Sequence, residues 1–104
     1  GMTKHHNGID LKAKLNELVG ASASGTVIFA DWNGGFGKCV KIDHHNGYVT
    51  LYGHLNVIMV KRGQNVKQHQ IIGKAGSTGR STGTHLHFTV FYKGKAKNPQ
   101  EYIW

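Results

Sequence analysis

From residue 85 to residue 90 the chain reads His85-Leu86-His87-Phe88-Thr89-Val90. Polar and apolar side chains alternate with a period of two, the period of a strand with one face buried and the other open. A helix would scatter Leu86, Phe88 and Val90 around its circumference. Side chains two apart on a strand project from the same face about 6 to 7 Å apart. His85 and His87 are therefore neighbours, close enough for one imidazole to hold a metal while the other handles a proton. Alone, a His-x-His pair is a modest signal, because many such pairs merely line a surface strand.

The rest of the chain is punctuated in the same way. It has 104 residues, fifteen of them glycine and one proline, which suits a turn-rich β protein better than a helical bundle. Residues 38–43 and 48–53 read as strands joined by His44-His45-Asn46-Gly47, and Asn-Gly is the strongest short hairpin signal. Residues 17–21 and 25–30 read as two further short strands. The apolar run 57–60, a turn at 61–64 and a short strand within 66–73 follow. A helix over 11–18 is the competing reading, but Leu11, Leu15 and Leu18 make only a thin stripe. Trp32 to Gly37 is an aromatic, glycine-rich loop. Asn98 before Pro99 could cap one helical turn. The expectation is an all-β fold of mainly antiparallel sheets, with residues 1–104 as one domain and residues 1–3 a disordered or cloning remnant. Such a length supports one compact domain.

No apolar run approaches the ~20 residues a spanning helix needs. Thirteen Lys and Arg against five Asp and Glu give a net charge of +8. That favours an anionic partner, whether nucleic acid, an acidic membrane or a wall polymer. The single cysteine, Cys39, excludes an internal disulfide and reads as a buried, inert thiol.

Other residues bear on chemistry. His6 and Asp10 are four apart, with Asn7-Gly8 between them favouring a turn that enters a strand over a helix. Such a turn offers one nitrogen and one oxygen ligand; a frayed polar terminus is the alternative. On the second hairpin strand Tyr48, Thr50, Tyr52 and His54 share one face, and Val49 and Leu51 the other. His54 could then be a third functional histidine, or simply a hydrogen-bonding one. His44 and His45 read as solvated turn residues. The loop 76–83 invites a phosphate-loop reading, but Lys74 stands where that pattern needs glycine and Arg80 fills its lysine slot.

These motifs, in this order, resemble the lysostaphin- and LytM-type zinc endopeptidases that cut peptidoglycan. The carrying segments are His6-Asn7-Gly8-Ile9-Asp10, Tyr52-Gly53-His54-Leu55 and the run from Gly76 through His85-Leu86-His87. The resemblance extends over essentially residues 4–102. It implies a groove across the central sheet and one Zn2+ per chain held by His6, Asp10 and His87, with a water completing the site. His54 and His85 would be the unligated catalytic pair, and Trp32, Phe36, Tyr48 and Tyr52 would line the groove. It further implies peptidoglycan as partner, a monomer, and an extracellular, wall-bound or phage-virion setting; no signal peptide is visible. Two departures stand out: Asn16 and His69 occupy positions where the family has glycine. Asn and His tolerate left-handed backbone angles, so both read as local changes.

Two rivals remain at this level. A non-catalytic wall-binding or activator domain of the same fold would typically have lost ligands, and this chain keeps all five motif residues. A small basic β domain stacking aromatics on nucleic acid would leave the histidine arrangement without a purpose.

Overall fold

A computed structural model describes residues 2–5, 8–81 and 83–97. Within them the alternation written in the sequence becomes ten strands. These are β1 Met2–His5, β2 Gly8–Lys12, β3 Leu18–Gly20, β4 Gly25–Trp32 and β5 Lys38–Asp43. They continue as β6 Tyr48–Ile58, β7 Asn65–Val66, β8 Ile71–Ala75, β9 His85–Tyr92 and β10 Lys95–Lys97. Every pairing is antiparallel, and the main path runs β1-β2-β9-β6-β5-β4-β7. Strand β10 folds back on β9, while β8 joins β3 to the far half of β6. The helix weighed over residues 11–18 does not form. The cap expected at Asn98 lies outside the described residues; Met2 and Thr3 pair with Leu11 and Asp10.

The core forms on one side of the central strands. Ile9, Val40, Ile42, Tyr52, Phe88 and Val90 meet Val19, Ala21, Val27, Val66 and Ile72 there. The side chains alternating with them on β2 and β9, Asp10 and His87 among them, therefore face the other way. Two structural details position that opposite face. Strand β6 does not end at Gly53 but continues to Ile58, and its register against β5 shifts between Tyr52, opposite Val40, and Leu55, opposite Lys38. The bulge coincides with His54, whose φ is 60°. The left-handed turn of backbone interrupts the alternation. It brings the His54 ring to 5.7 Å from that of His87, centroid to centroid. His54 thus leaves the face of Tyr52, where strict alternation had placed it.

Asn16 and His69 adopt φ of 64° and 69°. They take up the glycine-like conformation expected of them. Asn16 then donates its amide to the Ala75 carbonyl at 2.8 Å, and His69 to that of Ala21 at 2.8 Å.

Candidate functional site

Asp10 and His87 are directly opposite each other across the β2–β9 ladder. Cross-strand neighbours of this kind hold their Cβ atoms about 5 Å apart. The His87 Nδ1 and Asp10 Oδ1 atoms approach to 2.8 Å, and both side chains are largely buried. The other ring nitrogen, Nε2, is 3.0 Å from the Thr89 hydroxyl. A hydroxyl both donates and accepts, so Thr89 can support either tautomer of His87. If Nδ1 gives its lone pair to a cation, Nε2–H donates to Thr89, which is the outer support a metal-ligating histidine needs. Gly8 explains itself at this point. A Cβ on it would run into the Thr89 hydroxyl and the Phe88 carbonyl and lie 3.0 Å from His87 Nε2.

His54 completes the group. Its Nδ1–H donates to the Thr78 carbonyl at 2.8 Å, which directs Nε2 elsewhere as an acceptor or a proton carrier. Asp10, His54 and His87 each offer one ligand atom, and these atoms lie within 4.8 Å of one another. A carboxylate oxygen and neutral imidazole nitrogens are donors zinc accepts, so the residues fit the ion the sequence implied. His6 lies outside the described residues.

The glycine-rich loop supports this arrangement instead of touching the site with its own chemistry. The Thr78 hydroxyl bonds the Leu55 carbonyl and accepts the Lys38 amide at 3.1 Å. Gly79, at φ 76°, packs on the turn around Gly35 and Gly37, where a Cβ would fall 2.5 Å from the Gly35 carbonyl oxygen. That turn, a single 3-10 turn at Gly34–Phe36, places Phe36 with its ring centroid 5.1 Å from the His87 imidazole. His85 begins β9, half-buried, opposite Lys12 and bridged to Gly76.

The four aromatic residues expected in the groove separate. Phe36 is beside His87. Trp32 is 55% exposed and borders a separate depression with Lys38, Asn56 and Val57. Tyr48 and Tyr52 share a face with their cross-strand partners Tyr92 and Phe88, so both project away from the Asp10–His87 side. Tyr52 is 1% exposed. Its hydroxyl is 2.7 Å from Thr50 Oγ1 and 2.9 Å from Ser22 Oγ, and it accepts the Ser22 amide at 3.0 Å. Burial outweighs these hydrogen bonds and raises its pKa. Tyr52 is a core hydrogen-bonding residue, not a groove residue. The same chain of hydroxyls corrects the reading of His44, whose Nδ1–H donates to the Ser24 carbonyl at 2.7 Å and whose Nε2 is 2.8 Å from Thr50 Oγ1. The signal missed was the polar Thr50-x-Tyr52 pair on the buried face of β6.

On an antiparallel β fold, a carboxylate–imidazole pair with a further histidine beside it is the donor set of a candidate metal centre. The chain belongs to Peptidase family M23, whose model matches residues 4–99. It is 46% identical over 94 residues to the DD-carboxypeptidase/endopeptidase Mpg of Neisseria meningitidis, spanning 90% of this chain and 22% of that protein. It is 37% identical over 99 residues to the murein hydrolase activator NlpD of Salmonella dublin, spanning 94% of this chain and 26% of that one. Among solved structures it superposes on the catalytic domain of lysostaphin from Staphylococcus simulans with a TM-score of 0.87 at 35% identity, covering 93% of this chain and 77% of that chain. A zinc containing peptidase from Vibrio cholerae gives 0.85 at 40% identity, covering 88% and 28%. The chain thus spans about a quarter or less of the length of these curated relatives.

Proposed function

We propose that the chain is a zinc-dependent endopeptidase domain that hydrolyses peptide bonds in bacterial peptidoglycan, in cross-links or stem peptides, and that residues 1–104 act as one unit. The observation that carries the proposal is the buried Asp10–His87 contact with His54 beside it. His6, Asp10 and His87 would hold the ion. When bound, zinc polarises a carbonyl and brings the pKa of water from ~15.7 toward ~7. The protein's own groups do the rest. Thr89 would fix the His87 ring at Nε2, leaving Nδ1 turned toward Asp10. His54, its Nδ1 committed to Thr78, can hold or release a proton only at Nε2. His85, two residues from His87 on the same strand face, would take the proton of the attacking water. His54 then steadies the developing negative charge or protonates the leaving amine. Phe36 covers one side of His87 and keeps water from that flank.

The test separates ligand from proton carrier. His54→Ala and His85→Ala should each keep one zinc per chain by elemental analysis while losing ~100- to 10,000-fold in hydrolysis. Asp10→Ala, His87→Ala and His6→Ala should lose the metal. Loss of zinc from His54→Ala would make His54 a ligand and overturn this division of roles. Digesting purified walls of two chemotypes and identifying the new amino termini names the bond cut. The second reading, a wall-binding activator, has the likeness to NlpD in its favour. It predicts that the zinc-loaded domain leaves walls intact.

A further inference from the structure

Thr78 ties the glycine-rich loop to two other segments with its carbonyl and its hydroxyl. The carbonyl accepts Nδ1–H of His54 at 2.8 Å. The hydroxyl donates to the carbonyl of Leu55, the residue after His54, and accepts the amide of Lys38, the residue after Gly37, at 3.1 Å. Leu55 and Lys38 are opposite each other across β6 and β5, where the register of that pair shifts. The hydroxyl is therefore interposed between the amide of one strand and the carbonyl of the other.

The turn that carries Phe36 is pressed against the same residue. A Cβ on Gly37, at φ 65°, would fall 2.4 Å from the Thr78 carbonyl carbon and 2.5 Å from both its carbonyl oxygen and its hydroxyl. Phe36 itself packs on Gly53, the residue before His54, where a Cβ would lie 3.3 Å from the Phe36 Cβ and 3.5 Å from that of His87.

A backbone carbonyl only accepts, so the proton of a neutral His54 is held on Nδ1 and the lone pair is left on Nε2. Which tautomer forms thus depends on where the Thr78 peptide stands. Thr78 lies between β8 and β9, outside both strands, so no strand ladder fixes that peptide. The two hydrogen bonds of its hydroxyl do so instead. We propose that Thr78 is the positioning residue of His54. Its hydroxyl anchors the loop at the β5–β6 join, its carbonyl keeps His54 in the Nδ1–H form, and the Phe36 turn and His54 are set together through it. The tautomer follows from geometry alone; its effect on turnover rests on the peptidase reading above and deepens it.

Long-range nitrogen–proton NMR of the histidine rings reads the tautomer of His54 in the domain as purified, at pH 8, with His54→Ala supplying the assignment. The wild type should carry the proton on Nδ1. Thr78→Val keeps the shape of the side chain and the carbonyl but removes the hydroxyl, and the Nε2–H form should then appear. Thr78→Ser should restore the wild-type pattern. Gly37→Ala leaves the hydroxyl in place while its methyl displaces the Thr78 peptide, and it should bring out the same Nε2–H form. In zinc-loaded Thr78→Val, kcat should fall about two- to tenfold, in step with the surviving Nδ1–H fraction, with KM little changed. An Nε2–H ring in the wild type, an unchanged ring in Thr78→Val or in Gly37→Ala, or a Thr78→Ser ring that matches Thr78→Val overturns the proposal. Should Thr78→Val fail to fold, the wild-type, Thr78→Ser and Gly37→Ala rings still decide it. If the tautomers shift as expected and the zinc-loaded wild type leaves walls intact, the peptidase reading fails and the positioning role stands. If the wild type digests walls and the tautomers stay fixed, the reverse holds.

Discussion

At the scale of single residues, burial decides the chemistry of the groups the site does not use. Cys39 is fully enclosed, and enclosure raises its thiol from 9.0 to about 11, more than Asn33 and Lys41 lower it. The native protein should therefore resist alkylation by iodoacetamide at pH 8 and react stoichiometrically once unfolded, as mass spectrometry would show. The same shift sets a pH dependence. The folded thiol binds its proton more tightly than the unfolded one, so its contribution to stability is intact below about pH 9 and is lost as pH rises through 11. Tyr52 acts in the same direction above its ordinary value of 10.0. Denaturant melts should weaken across pH 9 to 11, and Cys39→Ala should flatten the early part of that decline. His69 offers the opposite opportunity. It is exposed and holds a left-handed conformation that costs a side chain about 1 kcal/mol. His69→Gly should raise the melting temperature by up to several degrees, with zinc content unchanged.

At the scale of elements, the site is a product of register. Strands β2 and β9 place Asp10 on His87 because Ile9 pairs with Phe88 and Leu11 with Leu86, and those apolar pairs are required by the core. Gly8 lets the two strands close. Gly8→Ala should cost about 1–3 kcal/mol by overpacking against Thr89 and the Phe88 carbonyl. It should also lower zinc affinity, read as a shifted midpoint in a chelator competition. Much of this was legible in the residues. Period-two alternation marks β9 and β5, and Asn46-Gly47 marks the β5–β6 hairpin. The His-x-His spacing puts His85 and His87 on one face. What alternation could not show was the point where it stops. His54 reaches the site through a bulge, and nothing in Tyr52-Gly53-His54-Leu55 announces a left-handed histidine. For the same reason Tyr48 and Tyr52 were counted on the side of the site when they belong to the other. The β10 return has no signature of its own in the sequence, since three residues carry too short a pattern to register.

At the scale of the whole molecule, charge and topology act separately. The +8 net charge falls on a chain whose core lies on one side of the central strands and whose site lies on the other. Long-range attraction to an anionic polymer is screened within ~10 Å at 0.1 M salt and ~3 Å at 1 M. Retention on purified walls should therefore fall severalfold as salt rises, while the melting temperature, set by the core, should change far less. Among the described residues no helix is long and apolar enough to cross a membrane.

Asp10 and His87 are separated by 77 positions of chain, yet they meet as immediate neighbours. A slip of one residue between their strands would turn the carboxylate inward and present a leucine in its place. A chain zipped out of step is therefore blank, not merely sluggish. Metal uptake after refolding becomes a census of correctly closed molecules, and it could serve as a fidelity gauge for folding in which no substrate is needed at all.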